Sequence, residues 1–403
     1  MKISIKHINN TFNYGSAMMA ITLIKKISDN IDNVEFYVDA NSDINLDRLK
    51  KETGFKNIYR DNVAYGNSIP EKCMKKIKQA KLNLKVNNIN IVIVIGGDDI
   101  SEYYGISALN QELNRLKKES IRKKIILLGQ TMGPFTENRE ELARKCLENT
   151  IIYTRDDRNL KYLNNVKFVN VKKGRDLAFM QLPMQYKSKH ILDKYKVKKD
   201  KYITIVLSGL TESYTKNTDS YIKQQVNIIK NIMNNDKLKN KKIVLLPHVL
   251  LPVHVDDRLI IRDIMKKIDD KFKNRIIDIY DEMLPSEARE ILGNGLFTIT
   301  GRMHAAVSTF YMRKPAISLS YSVKYAGVIG DGLDMNELVI ESANEQLWSN
   351  GEISKLVDEK VNYVLDNYDE LVKKIDINVS ETSKIVEEEL NDVVNQIKNS
   401  ITN

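Results

Sequence analysis

Residues 89–99 read INIVIVIGGDD. An unbroken β-branched run closed by two glycines is the pattern of a strand buried on both faces, as in a parallel sheet covered by helices. Gly96 and Gly97 end it in a loop that allows close backbone approach. In open α/β sheets ligands bind at such carboxyl ends. The same design recurs downstream. KKIILLGQTMGPF (123–135) is a basic start, an apolar strand and a Gly/Pro loop. NREELARKCLEN reads as a helix, and TIIYTRDD (150–157) as a strand running into a polar loop. Upstream, MKISIKHI and VEFYV read as strands and SAMMAITLIKKIS as a helix. Strand, loop, helix, strand is the βαβ rhythm.

The rhythm lapses in QLPMQYKSKHILDKYKVKKDK (181–201) and then restarts. YITIVLSGL, KKIVLLPHVLLP, RIIDIYDEM, LFTIT and KPAISLSY read as strands. The intervening segments have helical period, and LPSEAREILGNG has Pro285 near its start and glycines at its end. The predicted division is a Rossmann-like domain over 1–185, a polar linker over 186–200, a second Rossmann-like domain over 201–350, and charged helices over 351–403. A length of 403 residues agrees with more than one hydrophobic core.

Composition is 42% hydrophobic and 29% charged, ordinary for a globular chain. No apolar run approaches the roughly 18 residues of a membrane span. The amino terminus lacks the apolar core of a signal peptide, so the expectation is a cytoplasmic protein. Cys73 and Cys146 are too few for a disulfide framework or thiolate metal site and read as buried thiols. The net charge of +10 suits an anionic substrate or the anionic inner face of a membrane. The lysines are scattered without interleaved aromatics, so nucleic acid is not the expected partner.

Four loops can carry chemistry. Asn13, Gly15 and Ser16 precede a helix, where backbone N–H groups can meet an anion, though an ordinary N-cap loop has the same residues. Asp98, after Gly97, can orient a hydroxyl or act as a base, or simply cap a turn. Asp99 is adjacent, so strand geometry points the two apart. Arg155 can grip carboxylate or phosphate, or pair with an aspartate of its own domain. Arg302 and His304 stand two apart where a strand meets a helix, and Lys324 follows the next strand. Together these three cations read as an anion site. His248 and His254 follow a strand without forming a zinc spacing.

The sequence resembles the polysaccharide pyruvyl transferase family from about residue 1 to 335. FNYGSAMMA, IVIGGDDI, LLGQTMGPF, YTRDDRN and RDLAF carry the likeness. The most specific block is LPSEAREILGNGLFTITGRMHAAVSTFYMRKPAISLSYSVKYAGVIGDG. The resemblance implies a GT-B-like fold, two Rossmann-like domains facing across a cleft, with carboxy-terminal helices that cross back. It implies transfer of a pyruvyl group from phosphoenolpyruvate to a sugar, leaving a ketal and releasing phosphate, with no cofactor. The acceptor would be a lipid-linked precursor of a cell-surface or exopolysaccharide, met by peripheral association with the membrane face. Arg302 and His304 fall on matched motif positions. His304 is then the general acid. Arg302, with Lys324 or Arg155, binds the donor, and Asp98 handles the acceptor. A GT-B glycosyltransferase using a nucleotide sugar, with Glu282 on the ribose, is the alternative. A non-catalytic glycan- or anion-binding protein is a third.

Overall fold

The computed structural model describes residues 1–62 and 88–400; Cys73 lies outside them. The chain forms two compact units. The amino-terminal unit comprises residues 1–11, 16–183 and 384–403, and the carboxy-terminal unit residues 12–15 and 184–383.

The amino-terminal unit is built on β1 (Lys2–Lys6), β2 (Glu35–Val38), β3 (Ile58–Arg60), β4 (Ile91–Ile95), β5 (Lys124–Gln130), β6 (Thr150–Thr154) and β7 (Val171–Lys173). Their order is β3-β2-β1-β4-β5-β6-β7 and every pairing is parallel. All five residues of β4 are buried, as expected of a strand covered on both faces. Val92 and Val94 pack with Leu109, Leu113 and Leu116 of the helix Ile106–Ser120. Cys146 joins the same core, where burial pushes its thiol up from the ordinary range. The pairs Arg155–Asp176 (3.8 Å) and Arg175–Asp157 (2.5 Å) tie the TRDD and RDLAF stretches to one another.

The carboxy-terminal unit contains β8 (Tyr202–Val206), β9 (Lys242–Leu245), β10 (Ile276–Asp278), β11 (Thr298–Thr300), β12 (Ala316–Ser320) and β13 (Val339–Glu341). Their order is β10-β9-β8-β11-β12-β13, again all parallel. In each sheet the strand order reverses direction beside the first strand. The crevices at the carboxyl ends of β1/β4 and of β8/β11 are therefore the switch points where such folds bind ligands.

Two features differ from the sequence reading. The polar stretch 186–200 is anchored: Ser188 donates to Ser286 (2.8 Å), and Ile191 and Val197 are buried. Its short helix His190–Lys194 belongs to the carboxy-terminal unit. Polarity is a poor guide here because a few buried residues suffice to dock a stretch whose lysines stay exposed. The helices of 351–403 are also no separate segment, and the final one, Tyr368–Lys398, passes from one unit to the other, as the family resemblance implies. It starts in the carboxy-terminal unit, where Arg313 meets Asp376 at 2.8 Å, and from Lys384 onward it belongs to the amino-terminal unit. There Asp392 accepts from Tyr153 (2.6 Å) and Lys172 (2.5 Å), and Gln396 accepts from Lys124 (2.9 Å).

Glu389 on this helix gives a pH test of that docking. It is 3% exposed; Oε2 accepts from the Arg175 N–H at 2.9 Å, while Oε1 is sealed without a partner. Burial, with Asp176 adding to it, pushes its carboxyl well above the usual range. The folded chain therefore keeps a proton that the unfolded chain loses near pH 4.3. Stability is full below that pH and falls as pH rises toward the folded value. Glu389→Gln should match the wild type at pH 4–5 and melt higher than it at pH 8. A difference in melting temperature that does not vary with pH would refute this.

Candidate active site in the carboxy-terminal unit

The site is organised around a residue that the sequence reading passed over. Asp257 is fully buried. Its Oδ1 accepts from the Gly209 N–H (2.8 Å) and from Arg302 Nε (3.1 Å) and Nη2 (2.6 Å). Its Oδ2 accepts from the N–H groups of His248 (2.9 Å) and Val249 (2.8 Å). One carboxylate thus ties together the loops after β8, β9 and β11. The doublet Asp256–Asp257 before a helix reads locally as an N-cap, and Asp256 does cap, accepting from the Arg258 N–H at 2.9 Å. The inward turn of the second aspartate has no local signal.

Arg302 is 7% exposed and also donates from Nη2 to the Val255 carbonyl at 2.9 Å. Burial opposes its charge, but Asp257 outweighs burial and raises its pKa above the ordinary arginine value. Nε and Nη2 are taken up inside the unit. Arg302 is the N-cap of the helix Met303–Tyr311, with no side-chain cap on the helix end. The preceding carbonyl, Gly301, accepts from the hydroxyls of Tyr214 (2.6 Å) and Tyr325 (2.8 Å). Burial pushes both phenols well above their ordinary range, so they remain donors. Tyr214, Tyr221 and Trp348 pack together behind this turn.

His304 is the second residue of that helix and is half-buried. Over it lies Gly15. A Cβ at residue 15 would stand 2.2 Å from His304 Nδ1 and 2.7 Å from its Cβ, so only glycine fits. Residues 12–15 belong to this unit because their backbone is stitched to the loop after β9. The Tyr14 N–H donates to the His248 carbonyl (3.1 Å), the Leu250 N–H donates to Phe12 (3.0 Å), and Asn13 bridges Val249. The first N–H of the helix Tyr14–Asn30 is therefore held by backbone. Ser16, half-buried, begins the return to the amino-terminal unit. Lys324 lies past β12 with Nζ 4.9 Å from the Tyr321 ring centre. A turn of π-helix, Ala326–Asp331, follows, a feature often found at functional sites.

The chain belongs to the polysaccharide pyruvyl transferase family. That family matches residues 13–323, more than half the chain, and includes Gly15, Asp257, Arg302 and His304. The chain is also 23% identical over 300 residues to the amylovoran biosynthesis protein AmsJ of Erwinia amylovora, covering 72% of this chain and 69% of AmsJ. Among solved structures it is similar to S. aureus MnaA with UDP, at a TM-score of 0.62 and 14% identity, covering 100% of this chain and 97% of that one. It is similar to UDP-GlcNAc 2-epimerase from Neisseria meningitidis, at a TM-score of 0.58 and 14% identity, covering 97% and 100%. The heptosyltransferase II of E. coli follows at 0.51 and 10%, covering 92% and 100%. At these identities the likeness establishes a GT-B-like fold. The chain is thus a polysaccharide pyruvyl transferase by family.

Within this pyruvyl transferase the remaining predicted residues lie in the amino-terminal unit. Arg155 is 1% exposed, and its Nε donates to Thr131 Oγ1 at 2.8 Å. With Asp176 at 3.8 Å it fits the ion-pair alternative, although Nη2 is buried without a hydrogen-bond partner among the described residues. Asp98 is half-buried after β4, and its carbonyl accepts from Ser101 Oγ at 2.5 Å. Gly97 is half-buried beside it. Across the switch point, Asp99 Oδ2 comes within 3.5 Å of His7 Nδ1. His7 adopts φ 69°, with its N–H donating to Asp39 at 2.8 Å. Burial lowers its imidazolium pKa, but Asp99, Glu112 and Asp39 together raise it above the ordinary range. This His–Asp contact had no sequence signal, because its partners are ninety residues apart. His254 and Glu282 are both exposed. Among the described residues no helix is long and apolar enough to cross a membrane.

Proposed function

We propose that the protein moves the pyruvyl group of phosphoenolpyruvate onto two hydroxyls of a sugar in a cell-surface or exopolysaccharide precursor. The observation that carries this reading is His304, seated under Gly15 and two residues after the buried Arg302, within the stretch the family matches. Phosphoenolpyruvate is small and carries both phosphate and carboxylate. Arg302, Lys324 and the uncapped helix end favour such an anion.

In the proposed reaction His304 gives a proton to the methylene carbon, and the neighbouring carbon becomes oxocarbenium-like. A sugar hydroxyl adds there and loses its proton, with Asp98 orienting it. The bond between that carbon and the phosphate oxygen breaks, phosphate leaves, and a second hydroxyl closes the ketal; of the two hydroxyl protons one restores His304 and the other leaves with phosphate or to solvent. Histidine suits this because it exchanges protons near neutral pH. The acceptor is proposed to be lipid-linked and met at the membrane face, in keeping with the net charge of +10.

The test is donor binding followed by turnover. Phosphoenolpyruvate should raise the melting temperature, a ligand at a hundred times its Kd contributing about 2.7 kcal/mol, whereas UDP-sugars should not. Phosphate release should then require an acceptor from a panel of lipid-linked and free oligosaccharides. Stabilisation by a nucleotide sugar alone would move the assignment to glycosyl transfer.

A further inference from the structure

The proposed mechanism leaves His248 without a role, yet its setting is specific. Its backbone is fixed from both sides, donating to Asp257 Oδ2 at 2.9 Å and accepting from the Tyr14 N–H at 3.1 Å. Its ring packs edge-on to Tyr14 with centroids 5.4 Å apart. The side chain is 1% exposed, and Nε2 is sealed from solvent with no hydrogen-bond partner among the described residues. Buried polar atoms in native proteins are nearly always bonded, so an exception asks for a missing group.

The neighbours say what kind of group. Close enough to act electrostatically on His248 are His304 and Arg302 from the turn after β11 and Arg289 from the helix Pro285–Asn294. Tyr14 faces it from the segment 12–15, and Asp257 from the helix Asp257–Met265. Asp257 cannot answer Nε2, since its oxygens already take backbone N–H groups and Arg302. Apart from Tyr14, a neutral phenol at ordinary pH, the other groups are cationic or become so on protonation. Burial first, and then His304, Arg302 and Arg289, hold the imidazolium well below the usual histidine range.

We propose that Nε2 of His248 is a subsite for an anionic oxygen of the donor, and that the imidazole takes up a proton when that anion binds. This rests on the donor reading above and adds a residue and a linkage to it. An entering dianion supplies the opposite charge that the surroundings lack. It turns a neutral, unpartnered ring into the cationic donor of a charge-assisted hydrogen bond. The proton comes from solvent and returns there when the ligand leaves; no covalent bond to His248 forms.

Titration calorimetry at pH 7.5, in two buffers of different ionisation enthalpy, counts protons taken up on binding. The probes are phosphoenolpyruvate and, separately, inorganic phosphate. The wild type should take up a proton. His248→Phe, which keeps the ring's bulk, should bind phosphoenolpyruvate at least about tenfold more weakly and lose that uptake, tenfold being the scale of one charge-assisted bond. His248→Gln serves if the phenylalanine variant fails to fold. Lost packing alone would weaken binding without changing the proton count, so weaker binding with unchanged uptake overturns the proposal, as does wild-type binding in the variants. Phosphate bound with His248-dependent uptake, while phosphoenolpyruvate fails to bind, would keep the subsite and discard the donor. If neither probe binds the wild type, both readings fall.

Discussion

Asp257→Ala is expected to destabilise the carboxy-terminal unit by about 3–5 kcal/mol, the scale for breaking a buried ion pair from one side. Arg302 is 7% exposed and would keep its charge with only the Val255 carbonyl for company. The N–H groups of Gly209, His248 and Val249 would lose their acceptor in the same step. For a unit of roughly 200 residues this is a fall of roughly 6–20 °C in melting temperature. Asp257→Asn keeps the shape and one carbonyl oxygen, so it should fall by less, yet its NH2 must face backbone donors. Any stabilisation by phosphoenolpyruvate should vanish with the alanine variant, because three loops of the site are released together. A melting temperature within about 2 °C of the wild type would refute the hub assignment, since that corresponds to less than about 1 kcal/mol.

Gly15→Ala is expected to cut acceptor-dependent phosphate release by about a hundredfold or more, the scale for displacing a reacting group by about 1 Å. The new methyl would meet His304 at Nδ1 (2.2 Å), Cγ (2.4 Å) and Cβ (2.7 Å). Rotating the imidazole does not relieve a clash that includes Cβ, so backbone must shift. The segment 12–15 resists, held by its bonds to His248 and Leu250 and by the Met283 N–H donating to the Tyr14 hydroxyl at 3.2 Å. Overpacking of this kind costs about 1–3 kcal/mol, so the variant should remain folded while losing turnover. His304→Ala is the reference: it should abolish phosphate release without unfolding the chain. Wild-type turnover in His304→Ala would remove His304 from the chemistry. Wild-type turnover in Gly15→Ala alone would show that the contact relaxes.

Much of this architecture was legible in local pattern. The run at 91–95 became β4, and the rhythm of apolar strands yielded both parallel sheets. Arg302 and His304 were placed where they stand, at a strand-to-helix turn, because such turns are written in adjacent residues. The cysteine reading held for Cys146. Less legible was anything resting on distant partners. Arg155 read equally well as an anion clamp or an internal ion pair, and only its position beside Asp176 tells the two apart. Asp99 has no role in the local pattern beyond pointing away from Asp98, and its approach to His7 depends on the pairing of distant strands.

What the sequence determined by itself is therefore the set of elements and the motif positions, since hydrophobic period and turn chemistry act over a few residues. Tertiary structure alone decided that residues 12–15 belong with the second sheet. It also decided that Asp257 faces inward to hold Arg302, 45 residues along the chain. The reason is physical. A buried charge or a sealed imidazole has its energy set by whichever groups the fold brings around it, and no local spacing encodes their approach.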